Sequence, residues 1–212
     1  MTLNRRQLVI AAAVTPLAVH AQARPPQAGQ QYQVLKVPQP TESGNKIEVI
    51  DFFQYSCPHC FHFLPMLRDW KQKLAPDVAY RYMPVVFDDR LIPHAKICFA
   101  LIGLGKIEDM HAKVFNAIHV DRKRLLDTNE IADFMAANGI DRQKWLDMYN
   151  SFGVASQVSR SKQIWTAYEV DGTPSLGCDG KYLTSPAMVQ SEVQCLEVMN
   201  FLIDKSRADH KK

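Results

Sequence analysis

An almost uninterrupted apolar run, KIEVIDFFQY at residues 46–55, limits the folds open to this chain. A strand that is apolar on both faces belongs in the middle of a sheet that helices cover on each side. Directly after the run, residues 61–74 carry apolar side chains at helical spacing, among them Phe63, Leu67 and Trp70. The sequence therefore predicts an α/β sheet whose central strand leads straight into a helix.

Two further strands and a block of short helices surround this unit in the sequence. Strand-like runs occupy residues 32–37 and 78–87. Short helices are predicted at residues 94–105, 107–119, 128–139, 141–152 and about 154–169. A helical block of this length between strands indicates one sheet that is split by an insertion.

The end of the chain returns to the sheet. Residues 173–185 predict a hairpin that turns at Asp179 and Gly180, since an Asp-Gly pair suits the positive φ angles of a tight turn. Residues 187–207 predict one long amphipathic helix, with Val193 on its apolar side. The element order is then β-β-α-β, a helical block, and β-β-α.

The first 23 residues have the features of an export signal. Arg5 and Arg6 form a positively charged start, residues 8–19 are an apolar stretch too short to span a bilayer, and AQA ending at Ala23 is a small-x-small cleavage site. We expect cleavage near Ala23, which places the mature protein outside the cytoplasm in an oxidising compartment. The sequence leaves open whether the Sec or the twin-arginine route exports it.

The overall charge argues against one class of partner. The chain of 212 residues is 47% hydrophobic and 22% charged, as in an ordinary soluble globular protein. Its net charge of +3 falls to +1 without the two arginines of the predicted signal. A nucleic-acid-binding protein needs a clearly basic surface, so we expect no nucleic-acid partner.

The motif SCPHC at residues 56–60 stands at the junction between the central strand and the helix. A thiolate is the nucleophile in disulfide exchange, and the unpaired N–H groups of a helix start favour an anion. Cys57 is therefore predicted to be the exposed, attacked sulfur and Cys60 its shielded partner. Pro58 fits the first helical turn, and a protonated His59 adds positive charge beside Cys57. Such a pair gives its disulfide away readily, because its reduced state is stabilised.

Two other interpretations of the motif are less consistent with the sequence. A zinc site needs four ligands, and Cys57, Cys60 and His62 leave the fourth to be found, while the later cysteines lack CxxC spacing. A purely structural Cys57–Cys60 disulfide closes a very short loop with little entropic benefit. We expect neither a metal nor another cofactor, because the two cysteines themselves carry the electrons.

Five cysteines are an odd number, so at least one thiol stays free or pairs transiently in an oxidising compartment. Cys98 lies in an apolar predicted helix, where a buried inert thiol is expected. Cys178 follows on the hairpin, and Cys195 lies on the final helix, which is expected to pack near it. These two form either a structural disulfide or two separate buried thiols.

The segment FFQYSCPHC after a strand, the helical insertion and the later VDGTP resemble thioredoxin-fold proteins of the DsbA type, the periplasmic thiol:disulfide oxidoreductases. The resemblance covers roughly residues 46–205, and CPHC is the active-site tetrapeptide of that family. It implies a thioredoxin fold with an inserted all-helical domain. The implied parts are a signal peptide at 1–23, a thioredoxin-like domain at 24–87 and 164–212, and a helical insertion at 88–163.

The resemblance also implies roles for individual residues. Cys57 and Cys60 match the catalytic pair, and His59 matches the residue that tunes it. Thr173 and Pro174 match a loop that carries a cis-proline against the disulfide. A cis bond suits a tight turn before a strand, and the Thr173 backbone is then left free to pair with a substrate peptide.

Asp51 falls where the family has a buried acidic residue under the active site. Burying an ionised carboxylate is costly, so its pKa is expected to rise. A raised pKa suits a group that accepts the proton when Cys60 becomes a thiolate leaving group. The alternative for Asp51 is a solvated acid at a strand edge.

The sequence and the resemblance together predict a monomeric periplasmic oxidase. It donates the Cys57–Cys60 disulfide to newly exported proteins with free thiols, through a mixed disulfide at Cys57, and a quinone-linked membrane partner of the DsbB type reoxidises it. A disulfide isomerase or reductase of the same fold is the closest alternative, but the segment before the first strand leaves no room for an added dimerisation domain. A thioredoxin-like peptide-binding chaperone would not require His59 or Asp51.

Overall fold

The computed structural model describes residues 25–210, so the predicted signal peptide lies outside the described residues. Within this range the strands are β1 (Gln33–Val34), β2 (Ile47–Phe53), β3 (Val78–Pro84), β4 (Ser175–Cys178) and β5 (Tyr182–Thr184). They form one sheet in the order β1-β5-β4-β2-β3. The pair β2–β3 is parallel, and the other pairs are antiparallel.

Helices cover this sheet and fill the long connection between β3 and β4. In the described part of the chain they are α1 (Pro58–Lys71), α2 (Ile92–Gly103), α3 (Ile107–His119), α4 (Thr128–Ala137), α5 (Arg142–Tyr149), α6 (Phe152–Ala167), α7 (Pro186–Val189) and α8 (Glu192–Asp209). None of them is long and apolar enough to cross a membrane. The predicted α/β sheet with an all-helical insertion is confirmed. The division at residues 88–163 stays a prediction, and α6 runs through its second bound.

Strand β2 takes the central position because both of its faces are apolar. All seven of its residues are buried. Ile47 and Val49 belong to a cluster with buried residues of α1 and α8, whereas Ile50 and Phe52 belong to a cluster with the helical block α2–α6. The end of β2 therefore delivers the cysteine motif to the start of α1 in the middle of the molecule.

The predicted hairpin forms between β4 and β5. Asp179 and Gly180 have φ angles of 52° and 67°, as the two central residues of a type I′ turn require. The Gly180 N–H donates to the Tyr168 hydroxyl at 3.0 Å. A side chain at Gly180 would place its Cβ 2.0 Å from the Gln39 carbonyl oxygen, so this position also needs glycine for space.

Two predicted elements differ from the structure. The first strand is only Gln33–Val34, because it pairs with β5 at two positions at the sheet edge. The predicted single helix at 187–207 is broken at Gln190, which has a φ of 54°. The chain restarts as α8 when the Ser191 side chain accepts the Gln194 N–H. Val193 then lies in the first turn of a new helix and is 53% exposed, so its predicted inward orientation is wrong.

Cys178 and Cys195 both lie in the cluster between the sheet and α8, but the structure describes them as free thiols. The Cys178 Sγ lies 3.8 Å from the Ser206 Oγ, whereas Cys195 has a hydrogen bond with the Thr184 side chain. Burial raises the pKa of each thiol to about 12. Each thiol thus has a hydroxyl partner of its own, and the choice between a structural disulfide and two separate buried thiols stays a prediction.

We expect the oxidised protein to contain three free thiols, those of Cys98, Cys178 and Cys195, and the fully reduced protein to contain five. A thiol reagent applied in denaturant, before and after mild reduction, measures both values. Cys178→Ala is expected to lower the oxidised count by one thiol. A rise in this count on the same substitution would show instead that Cys178 and Cys195 are bonded.

Candidate active site

Cys57 lies between the end of β2 and the start of α1, where it is the N-cap residue with φ −83° and ψ 117°. Its N–H donates to the Gln54 carbonyl, and its carbonyl accepts from the Phe61 N–H, both at 3.1 Å. Pro58 occupies the first helical turn. Cys57 is half-buried, whereas Cys60, one turn inside the helix, is 4% exposed. The two sulfurs therefore differ in access from solvent.

Cys57 is the acidic thiol of the pair. Its pKa falls from 9.0 to about 5, chiefly because the Cys60 side chain hydrogen-bonds to it. Partial burial opposes this effect, while Thr173 and the backbone N–H groups of Cys60 and His59 add to it. The backbone contribution is the expected action of the unpaired N–H groups at a helix start. Cys57 is consequently a thiolate at neutral pH.

Cys60 is shifted in the opposite direction. Burial, followed by the hydrogen bond and the charge of Cys57, raises the Cys60 pKa far above its ordinary value. Cys60 therefore keeps its proton at neutral pH and donates to the Cys57 thiolate. A Cys60 thiolate, if one forms as a leaving group, needs a proton source inside the protein.

The Thr173-Pro174 peptide bond is cis and lies against the cysteine pair. The Thr173 carbonyl oxygen is 3.3 Å from the Cys57 Sγ. The Ser175 hydroxyl donates to the Gly172 carbonyl at 2.8 Å and closes the loop. Together with His59 and the start of α7, this loop borders a groove of about 400 Å³. A groove of this size next to a reactive sulfur can hold a segment of another chain.

His59 and Pro58 are both exposed on the first turn of α1. His59 and Pro174 are both lining residues of the groove. The stabilisation of the Cys57 thiolate that the structure shows for His59 comes from its backbone N–H. Tuning by the imidazole itself stays a prediction.

Asp51 lies on β2 and is 2% exposed, so it is not a solvated acid at a strand edge. The Tyr80 hydroxyl donates to its Oδ2 at 2.8 Å. Burial raises the Asp51 pKa to about 7, although the Tyr80 hydrogen bond and the charge of Lys71 oppose the rise. Asp51 and Cys60 line the same small cavity, which places a weakly acidic carboxyl group close to the buried sulfur.

The histidines of α3 are not among the site residues that the sequence predicts. His111 Nδ1 lies 2.9 Å from the Tyr55 hydroxyl, and His119 Nε2 donates to the Tyr55 carbonyl at 2.8 Å. His119 also stacks on Phe61 with the ring centroids 4.8 Å apart. Because His111, Phe115 and His119 are spaced four residues apart, they lie on one helix face. This four-residue spacing is the sequence signal that could have identified the two histidines as neighbours on one helix face.

The described residues offer no ready metal site. Among residues 25–210, no three or more His, Cys, Asp or Glu side chains are grouped as metal ligands. His62 is exposed on α1, where it borders a surface pocket with Phe61, Pro65 and Arg68. The chemistry that the geometry offers is therefore that of the two thiols and the nearby carboxyl group.

A family model and two named relatives are similar to this chain in sequence. A family model described as a DSBA-like thioredoxin domain matches residues 94–194. The thiol:disulfide interchange protein DsbA of Burkholderia cepacia is 39% identical over 86% of this chain and 88% of its own length. The protein of the same name from Pseudomonas aeruginosa is 37% identical over 91% of each chain.

A solved structure agrees with these sequence matches. The crystal structure of Pseudomonas aeruginosa DsbA superposes with a TM-score of 0.84 at 36% identity, covering 88% of this chain and 97% of that one. The thioredoxin fold with an inserted helical domain, implied by the resemblance, is thereby confirmed. With this identity over most of both chains, the chain belongs to the DsbA family of thiol:disulfide interchange proteins.

Proposed function

We propose that the oxidised protein donates its Cys57–Cys60 disulfide to newly exported proteins with free thiols. Membership of the DsbA family makes it a thiol:disulfide oxidoreductase. The single observation that supports the oxidising direction is the asymmetry of the pair, in which the Cys57 pKa is about 5 and the Cys60 pKa is strongly raised. A stabilised Cys57 thiolate stabilises the reduced form, so the disulfide is a strong oxidant.

The first step forms a mixed disulfide. A substrate thiolate attacks the Cys57 Sγ, a bond forms between the two sulfurs, and the Cys57–Cys60 bond breaks with its electron pair moving to Cys60. Cys60 leaves as a buried thiolate, which its environment strongly disfavours. Protonated Asp51, with a pKa of about 7, supplies the proton that converts it to the thiol.

The second step releases the oxidised substrate. Another substrate thiolate attacks the substrate sulfur of the mixed disulfide, and Cys57 leaves as a thiolate. The Cys60 thiol and the helix-start N–H groups stabilise this leaving group. Two electrons have then moved from the substrate dithiol to the enzyme, which is left as the dithiol form.

The surroundings of Cys57 support an extended peptide as the substrate. Thr173 presents its backbone carbonyl beside the Cys57 sulfur, and the same residue lines the groove together with His59 and Pro174. Backbone pairing at Thr173 does not depend on substrate side chains, which suits clients of varied sequence.

The cellular setting is part of the same proposal. The protein acts as a monomer in the periplasm, after cleavage of the signal near Ala23. A quinone-linked membrane oxidase of the DsbB type reoxidises Cys57 and Cys60 after each turnover. The name of the relatives and the predicted export signal support this placement.

The oxidised protein is expected to oxidise a reduced client that has two cysteines, in equimolar amounts, and to reduce insulin poorly. Cys57→Ser is expected to abolish the oxidation, whereas Cys60→Ala is expected to leave Cys57 as the only thiol that captures an activated substrate as a stable mixed disulfide. Client thiols and the glutathione redox equilibrium are the measurements. A strongly reducing potential, or full activity of Cys57→Ser, would contradict the proposal.

The ultraviolet absorbance of the Cys57 thiolate is expected to titrate with a midpoint near pH 5 in the reduced protein. Cys60→Ala is expected to raise this midpoint, because the largest cause of the lowered pKa is removed, and Cys60→Ser is expected to raise it less, because a hydroxyl donor remains. An equal midpoint in all three proteins would show that the Cys60 side chain has no such role.

The same titration determines how stability depends on pH. The Cys57 pKa is lowered in the folded reduced form, so the thiolate stabilises this form fully above the ordinary value of 9.0 and not at all below about 5. The stability advantage of the reduced over the oxidised protein is therefore expected to shrink steadily as the pH falls from 9 to 5. Thermal unfolding of both forms across this range measures it.

A further inference from the structure

A small cavity lies between Asp51 and Cys60. Its volume is about 10 Å³, roughly the room that one water molecule needs. The polar side chains in its wall are those of Asp51, Cys60 and His111. Pro174 and apolar residues, Phe53, Phe63, Leu64, Leu67 and Phe115, complete the lining. The cavity therefore has both the size and the polar partners of a single-water site.

One of the two carboxylate oxygens of Asp51 lacks a hydrogen-bond partner among the described residues. Its Oδ2 accepts the Tyr80 hydroxyl, but its Oδ1 is buried and has no hydrogen-bond partner among the described side chains and backbone groups. A buried polar atom without a partner costs free energy, and such atoms in native proteins are usually satisfied by ordered water. The unpaired Oδ1 belongs to a residue that lines the cavity, and a water molecule there would give it a partner.

His111 faces the same cavity from α3, in the helical block. Its ring is 4% exposed and packs on Phe53 and Tyr82, with centroid distances of 4.8 and 4.6 Å. Burial lowers its pKa to about 3, so the imidazole is neutral and carries one N–H. Burial also raises the Tyr55 pKa, so the Tyr55 hydroxyl keeps its proton and is able to donate a hydrogen bond to His111 Nδ1, 2.9 Å away. In the tautomer that accepts this bond, the imidazole proton is on Nε2.

We propose that His111 is a positioning residue for proton transfer between Asp51 and Cys60, because its Nε2–H holds one water molecule in the cavity that the three side chains share. The inference rests on the oxidase function proposed above. The water accepts from His111 and from protonated Asp51, and it donates to the Cys60 sulfur. His111 remains a donor throughout and neither gains nor loses a proton.

The proton transfer balances over the three groups. When Cys60 leaves as a thiolate, the water gives it one proton and takes one from Asp51. The products are the Cys60 thiol, the Asp51 carboxylate and the same water molecule. Reoxidation runs the transfer in reverse, so that the Asp51 carboxylate receives the proton that Cys60 loses.

The other titratable groups around this site do not replace Asp51 in its role. Those that interact with Asp51 or His111 are Lys71 on α1, Tyr80 and Tyr82 on β3, Tyr55 after β2, Cys98 on α2 and Cys195 on α8. Burial raises the pKa of the tyrosines and of both cysteines, so they stay protonated. Lys71 is positive and ion-paired with Glu108. Asp51 is the group whose charge changes near neutral pH.

The test is the pH profile of disulfide cleavage by glutathione, with each rate corrected for the glutathione thiolate concentration. In the wild-type protein this rate is expected to fall as the pH rises through about 7, where Asp51 loses its proton. His111→Leu is expected to lower the rate roughly tenfold below this pH and little above it, which flattens the profile. Asp51→Asn combined with His111→Leu is expected to match Asp51→Asn alone.

Two further variants separate positioning from packing. His111→Gln places an amide N–H near the position of Nε2 and is expected to retain the wild-type profile, whereas His111→Asn is expected to lose it. His94→Leu removes another buried histidine, which donates to the Arg124 carbonyl and does not line the cavity. It is expected to lower the melting temperature and leave the profile unchanged. If His111→Leu does not fold, the comparison of His111→Gln with His111→Asn decides whether His111 has the positioning role.

An unchanged profile in His111→Leu or His111→Asn, or additive losses in the double variant, would overturn the positioning role. The Cys57 titration midpoint near pH 5 is expected to stay the same in every His111 variant, because its causes lie at the helix start. A wild-type protein that fails to oxidise a reduced client would instead remove the proposed function. An active wild-type protein with unaffected His111 variants would remove this inference alone.

Discussion

The hydrogen bond from the Cys60 thiol to the Cys57 thiolate is the interaction on which the rest of the site depends. It is the largest cause of the low Cys57 pKa, and it exists only because Cys60 is buried one turn inside α1 and keeps its proton. The geometry requires a helix that begins directly after Cys57. That helix in turn requires a strand, β2, which is buried on both faces and ends in the middle of the molecule. The redox asymmetry is therefore a property of the fold and not of two cysteines in isolation.

The same burial that makes Cys60 a good donor makes it a poor leaving group. A buried thiolate without a proton source would be held back by the low-polarity surroundings that raise its pKa. Asp51 can supply this proton because it lines the same cavity as Cys60. Burial, the same physical cause, raises the Asp51 pKa to about 7. One solvent-excluded region thus produces a thiol that keeps its proton and donates to Cys57, and a carboxyl group that can hold a proton near neutral pH.

The parts of the structure that follow from local patterns could be predicted from the sequence. The central strand follows from the apolar run at 46–55, and the hairpin turn from Asp179 and Gly180. The break at Gln190 could not, because the cap at Ser191 competes with a continuous apolar pattern that runs through it. The hydroxyl partners of Cys178 and Cys195, which are Ser206 and Thr184, also depend on tertiary packing. The place of His111 in the site also depends on tertiary packing, since its partner Tyr55 is 56 residues away along the chain.

The helical block does more than cover the sheet, because α3 holds the turn that carries the motif. Tyr55, two residues before Cys57, is fixed at its hydroxyl by His111 and at its carbonyl by His119. The following turn is closed by the Cys57 N–H on the Gln54 carbonyl, so the backbone on both sides of Tyr55 is restrained. The orientation of the N–H groups at the start of α1 depends on this turn. His119 contacts the backbone of this turn directly, whereas His111 contacts only the Tyr55 side chain, so α3 supports the start of α1 chiefly through His119.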